Sequence, residues 1–201
     1  MLNLLAIKGS PRSNSNSSFM LDKIIAGSQE KAEAENIELS EKIIRPFTMD
    51  IKACTACFHC DKTAECIFND DMTELLKDFD EAEIVLLSSP IFFNGTPSHI
   101  KKMIDRCQPL WASKYVLEEP IIDRDKKRRS VLIGAAGAPA YEDQFIALEK
   151  VTSLFFKAIN AKKFTQFLYP NTDNNLIAED KEALNKLKQI GRELITEFTD
   201  D

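Results

Sequence analysis

The sequence predicts an α/β fold: a five-stranded parallel sheet covered by helices on both faces. Three observations predict it. Short apolar runs alternate along the chain with longer stretches of helical periodicity, the pattern of strand–helix–strand units. The runs ending near residues 7, 87 and 133 lead into turns of small or polar residues. The run over 82–87 is nearly all apolar, as expected of a central strand covered on both faces.

The elements follow in order. Residues 2–7 have the length of a buried strand, and residues 16–34 form a helix with Met20, Ile24 and Ile25 as its buried stripe. Residues 37–44 carry Ile37, Leu39, Ile43 and Ile44 and read as the second strand, ended by Pro46. A helix opens near Asp70-Asp71-Met72-Thr73-Glu74, with Asp71 and Glu74 at capping-box spacing and Met72, Leu75, Leu76 and Phe79 facing inward. The third strand, 82–87, is followed by a loop and a helix that Ser98 caps, with Ile100, Met103 and Ile104 buried. Cys107 falls on the same face and reads as core, and His99 as structural. Residues 108–129 form a long connection holding Trp111, Tyr115 and Pro120, an arm or interface, closed by a solvated charge run, Lys126-Lys127-Arg128-Arg129. Strand four is 131–133, a helix covers 144–159, strand five is 163–169, and a last helix covers 180–198. Five such strands suit the flavodoxin-like three-layer sandwich of order 2-1-3-4-5, with a cysteine-rich loop after strand two and all 201 residues in one domain.

That topology places ligands at the carboxyl ends of strands one and three. The turn after strand one runs Lys8-Gly9-Ser10-Pro11-Arg12-Ser13-Asn14-Ser15-Asn16-Ser17-Ser18, and five of the nine residues from Ser10 to Ser18 are serines. Gly9 lets the chain bend close to a ligand, the hydroxyls are neutral donors, and Arg12 adds a forked positive charge. At a helix N-terminus this makes a socket for a phosphate monoester. Neither the dinucleotide fingerprint nor the nucleoside-triphosphate loop is present. After strand three, Ile91, Phe92 and Phe93 offer faces for a flat ring, with backbone amides near Asn94 and Gly95 for its polar edge. One at least of the two phenylalanines is expected in the core. A third small-residue loop, Gly134-Ala135-Ala136-Gly137-Ala138-Pro139, lets backbone approach the same ligand. A mononucleotide with a flat ring system, FMN, suits the set.

Four of the five cysteines fall in one segment, Cys54, Cys57, Cys60 and Cys66, with the spacing C-x2-C-x2-C-x5-C. Four close thiolates suit zinc or an iron–sulfur cluster, and three at two-residue spacing favour iron–sulfur. His59 lies inside the loop as a lining residue. Net charge is −6, which disfavours nucleic acid or an anionic membrane as partner. Hydrophobic content of 44% and charged content of 29% are ordinary for a soluble domain, and no apolar run approaches a membrane span. A cytoplasmic protein with reduced thiols is expected.

Gly9-Ser10-Pro11-Arg12 with Asn16-Ser17, and Ser89-Pro90-Ile91-Phe92-Phe93-Asn94-Gly95 with Ile104-Asp105-Arg106, resemble the phosphate and ring loops of the NADPH-dependent FMN reductases. The cysteine motif followed by Asp70-Asp71-Met72 resembles their iron–sulfur flavoprotein subgroup. The resemblance implies FMN phosphate contacts from Ser10, Arg12, Asn16 and Ser17, with Ser15 and Ser18 beside them. It implies ring contacts from Pro90, Ile91, Phe92, Phe93, Asn94 and Gly95, with Ala136 and Gly137 nearby. It also implies a [4Fe–4S] cluster on the four cysteines and a homodimer or homotetramer. Ser15 stands where a glycine is usual. Three functions follow: an FMN/[4Fe–4S] oxidoreductase linking a small-molecule or redox-protein donor to a small acceptor; a cluster-free NAD(P)H-dependent FMN or quinone reductase with structural or zinc-binding cysteines; and an electron carrier of flavodoxin type, against which the cysteines argue.

Overall fold

The computed structural model describes residues 1–199. Strands β1 (Leu2–Lys8), β2 (Leu39–Ile44), β3 (Ile84–Pro90), β4 (Arg129–Ala135) and β5 (Lys162–Tyr169) form one sheet of order β2-β1-β3-β4-β5, every neighbouring pair parallel. Side chains alternate across a strand, so the apolar runs feed two cores. Leu5, Ile7, Val85, Leu87 and Leu132 point to one face and Leu4, Ala6, Ile84, Leu86, Val131 and Ile133 to the other. The first face packs on α3 (Asp71–Glu81), α4 (Ser98–Asp105), α5 (Gln108–Tyr115) and α6 (Ile146–Ala158) through residues such as Phe79, Ile100, Met103, Leu110 and Phe155, with α2 (Cys60–Thr63) outside this layer. The second packs on α1 (Asn16–Ala34) and α7 (Lys181–Thr196).

Helices α1 and α7 meet backbone to backbone. A Cβ on Gly27 would stand 2.0 Å from the Lys188 carbonyl, and one on Gly191 the same distance from the Ile24 carbonyl. The buried Ser28 hydroxyl bonds the Gly191 carbonyl across the gap at 3.1 Å. Among the described residues no helix is long and apolar enough to cross a membrane.

The structure corrects several expectations. Strand β3 runs on through Ser88, Ser89 and Pro90, because its ladder with β4 continues through Ile133, Gly134 and Ala135. The N-cap of α3 is Asp70, not Asp71: its carboxylate accepts from the Met72 amide at 3.1 Å, while that of Asp71 accepts from the Asp50 amide. Ser98 lies inside α4 and caps nothing; Pro97 precedes it. The long connection contains α5. Its basic run is not a solvated face, since Arg128 is only 1% exposed and bonds the Asp80 carboxylate at 2.6 Å and three backbone carbonyls. Arg129 pairs with Glu197. Cys107 is buried, as expected of core, and burial pushes its thiol far up. Both Phe92 and Phe93 are exposed rather than core, because the short loop that carries them turns outward.

Candidate functional site

Three strand ends build one cleft. At the end of β1, Gly9 donates to the Ser88 carbonyl at 2.8 Å and its own carbonyl is held by His99 Nε2 at 2.9 Å. A Cβ there would lie 2.4 Å from the Ser88 oxygen, so only glycine lets the two strands close at this height. The chain then turns into α1. Ser15 is the N-cap, extended at φ −111°, and its hydroxyl accepts from the Ser18 amide at 3.2 Å while donating to the Ser18 hydroxyl at 2.9 Å. A serine is thus suited to the place where a glycine was the usual residue. No acidic side chain occupies the first turn of α1, which leaves its positive end uncompensated. Behind it Lys8 and Asp22 form an ion pair at 2.7 Å that ties β1 to α1.

At the end of β3 the chain folds on itself: Phe92 and Gly95 exchange backbone bonds of 3.0 and 2.9 Å, and Phe93 and Asn94 between them take positive φ, 49° and 58°. The Tyr141 hydroxyl donates to the Asn94 side chain and ties this loop to the one after β4. At the end of β4, the Ala136 and Gly137 carbonyls accept from the Thr172 and Asp173 amides at 3.0 and 3.2 Å, so the turn after β5 closes the wall. A Cβ on Gly137 would lie 2.5 Å from the Asp173 carboxylate.

The cleft so formed, about 240 Å³, is lined by Ser10, Arg12, Asn14, Ser15, Asn16 and Ser17 at its polar end. Pro90, Ile91 and Phe92 supply apolar surface, and Ala135, Gly137, Thr172 and Asp173 complete it. Of the residues expected there, Ser18, Phe93, Asn94, Gly95 and Ala136 do not line it. Ser18 is buried under the cap, Phe93 points into solvent, and Ala136 packs into the core. Thr172 and Asp173 were missed, although strand five ends at the same sheet edge as the others and its polar turn, Asn171-Thr172-Asp173, was there to be read.

The cysteines line a second cavity of about 360 Å³, together with Phe58, His59, Phe68, Arg106, Pro109 and Trp111 among others. Cys54 and Cys57 are exposed and Cys60 and Cys66 half-buried. Burial, and then the Asp61 charge, push the Cys60 thiol up. Among the described residues no group of three or more His, Cys, Asp or Glu side chains is arranged to hold a single metal ion. The backbone between the thiols is unusual: Ala56 and Phe58 have φ of 52° and 57°, and His59, directly after Phe58, is right-handed helical. Alternation of left- and right-handed residues turns successive N–H groups inward, the arrangement that receives anions and sulfur clusters. A four-thiol wall with such a backbone fits an iron–sulfur cluster, whose thiolates sit on different irons.

Arg106 closes the floor of that cavity. It is 1% exposed, and its fork grips Asp70 through Nη1 at 2.7 Å and Nη2 at 3.0 Å. Nη1 also donates to the Lys52 carbonyl at 2.8 Å, and the guanidinium lies 5.1 Å from the centre of the Phe68 ring. Burial works against its charge, but its hydrogen bonds to the Asp70 carboxylate, the charge of that carboxylate and the nearby Cys66 side chain hold its pKa above the ordinary value. Burial likewise opposes the Asp70 carboxylate, and Arg106 with the Lys52 and Met72 amides keeps its pKa below the usual range.

A sequence model of the NADPH-dependent FMN reductase family matches residues 2–139. An iron-sulfur flavoprotein of Methanocaldococcus jannaschii is 32% identical over 110 residues, 54% of this chain and 53% of the relative. One from Archaeoglobus fulgidus is 34% identical over 106 residues, 52% of this chain and 45% of the relative. The chain thus spans about half the length of the curated relatives it matches. Among solved structures, an azoreductase from Bacillus anthracis superposes with a TM-score of 0.69 at 14% identity, covering 98% of this chain and 100% of that one. The NAD(P)H:quinone oxidoreductase from Methanothermobacter marburgensis gives 0.66 at 15% identity, covering 96% and 98%. At these identities the likeness concerns the fold alone.

Proposed function

The chain belongs to the NADPH-dependent FMN reductase family, and from that premise we propose that it is an FMN-dependent oxidoreductase of the iron–sulfur flavoprotein type. It moves electrons between an external donor, NAD(P)H or a reduced carrier, and a small acceptor. The observation that carries this reading is the cleft at the strand ends, polar and cationic where β1 enters α1 and apolar at Pro90, Ile91 and Phe92. Ser10, Asn16, Ser17 and Arg12 with the N-terminus of α1 take the phosphate. Pro90, Ile91 and Phe92 lie against the ring, and Gly137 keeps that wall low enough for backbone to approach it. Asp173 puts a hydrogen-bond acceptor on the same wall. Bound FMN supplies hydride acceptance and single-electron release, and the protein supplies binding and orientation. The cluster reading assigns Cys54, Cys57, Cys60 and Cys66 as ligands, supported by their shared cavity and by the names of the relatives. The exposed, mutually packed rings of Trp111 and Tyr115 support self-association as a homodimer or homotetramer.

Anaerobic reconstitution with FMN, iron and sulfide tests this reading, with single Cys→Ser variants at all five positions. The wild type should bind one FMN and about four irons per chain, as a four-thiolate cluster requires. Iron should be lost in the Cys54, Cys57, Cys60 and Cys66 variants and kept in Cys107→Ser. Stoichiometric zinc without iron would leave the cluster-free reductase, and absence of FMN binding would overturn both.

A further inference from the structure

Among the described residues two arginines, Arg106 and Arg128, are almost fully buried, and they are spent differently. Arg128 uses all three nitrogens: Nε on the Ala82 carbonyl at 3.1 Å, Nη1 on the Asp123 carbonyl at 2.5 Å, and Nη2 on the Asp80 carbonyl and carboxylate, each at 2.6 Å. It is a fastener for the chain entering β4. Arg106 keeps its buried Nε–H without a hydrogen-bond partner among the described residues, although both Nη groups are bonded. It stands in the wall of the cysteine cavity, where the Cys66 side chain is close enough to interact with it. A buried donor left without a partner is costly to the fold. An anionic, sulfur-rich group beside it would remove that cost.

We propose that Arg106 is the electrostatic anchor of the cysteine cavity, with Asp70 as the residue that positions it, and that its charge and free N–H favour an added electron on a cluster held there. The inference rests on the iron–sulfur reading above and adds a residue outside the ligand set. Hydrogen bonds and charge around the sulfurs set the potential of such a group, and the partners behind the ligands hold it in place. Each electron added makes the centre more negative, so a fixed cation nearby raises its reduction potential. Asp70 opposes this with its own charge while it locks the fork in place.

The test is the cluster potential, read by anaerobic redox titration of FMN-loaded, reconstituted wild type, Asp70→Asn and Asp70→Asn/Arg106→Gln. Removing the Asp70 charge should raise the potential above wild type. Adding Arg106→Gln in that background removes one positive charge and should lower it again, by about tenfold in the reduction equilibrium, or ~59 mV for a one-electron couple. A residue that merely holds the loop together would change loading or melting temperature without moving the potential. Equal potentials in the single and double variants, at full iron content, would overturn the proposal. If the double variant holds no iron, Asp70→Asn decides alone: a potential unchanged from or below wild type overturns it. A wild type that takes up no iron and sulfide would instead remove the cluster reading itself.

Discussion

Arg12→Ala separates binding from folding at the polar end of the cleft. Its side chain is exposed, lines the cleft, and makes no side-chain hydrogen bond or ion pair within the described residues. Its removal should therefore leave the melting temperature within experimental error. A charge-assisted hydrogen bond contributes about 1.5–3 kcal/mol, so FMN affinity should fall roughly 10- to 150-fold at 1.4 kcal/mol per decade. The openness of the cleft to water puts the expected value toward the lower end. Titrating apoprotein with FMN and following quenching of flavin fluorescence measures it. Riboflavin, which lacks the phosphate, is the control: its affinity should be the same in the variant and the wild type. Ser15→Ala should do the reverse to stability, since loss of the N-cap bond to Ser18 costs about 1 kcal/mol. Unchanged FMN affinity in Arg12→Ala, or an equal loss for riboflavin, would refute the phosphate assignment.

Gly137→Ala places a methyl group 2.5 Å from the Asp173 carboxylate, which must swing away from the wall; FMN binding should weaken in the same titration, and Asp173→Ala in that background should weaken it no further, because the acceptor is already displaced. The Asp70–Arg106 pair predicts a pH dependence. A carboxyl whose folded pKa lies below its unfolded value, near 3.9, contributes stability in full above that value and loses it as pH falls through the folded pKa. The melting temperatures of apo wild type and apo Asp70→Asn, recorded by calorimetry, should therefore differ at neutral pH, by the equivalent of about 3 kcal/mol, and converge in acid. A gap independent of pH would show that the charge of Asp70 is not what stabilises the fold.

The sheet was legible because its code is local. Apolar runs of strand length separated by helical stripes leave few topologies, and α1 begins and ends where its Ser15 cap and its periodicity place it. The polar end of the cleft was legible for the same reason, since a turn between β1 and α1 is contiguous in sequence. What escaped depended on partners distant in the chain. Arg128 looked like one charge in a run of four, and only the carbonyls of Asp80, Ala82 and Asp123 explain its burial. Asp70 was expected as one carboxylate of an acidic first turn, and its tie to Arg106 spans 36 positions. Thr172 and Asp173 reach the cleft because β5 ends beside β4, a fact of sheet order rather than of motif. The outward turn of Phe92 and Phe93 depends on a two-residue reversal that an Asn-Gly pair masked: the left-handed residues are Phe93 and Asn94, and Gly95 is not one of them.

That reversal belongs to a pattern. Among the described residues no glycine takes a positive φ, but ten other residues do. Five are Asn or Asp: Asn36, Asn94, Asp143, Asn160 and Asn171. Those side chains tolerate the left-handed region in ordinary turns. The other five are Ala56, Phe58, Ala64, Phe93 and Glu118, where the conformation costs about 1–2 kcal/mol each. Four of the five lie in two places, three in or beside the cysteine motif and one at the tip of the loop after β3. Turn formation alone does not call for this, since Gly or Asn would make the same turns at lower cost. Backbone strain of this kind persists where the surroundings over-determine it, and it concentrates at ligand clamps and active sites. In this chain it falls at the cavity of the four thiols and beside the cleft at the strand ends. Helix α4 joins the two: it starts just after the strained loop and ends at Arg106, about 12 Å further on at 1.5 Å per residue. The cost in conformation therefore marks the same two sites that side-chain chemistry marks independently.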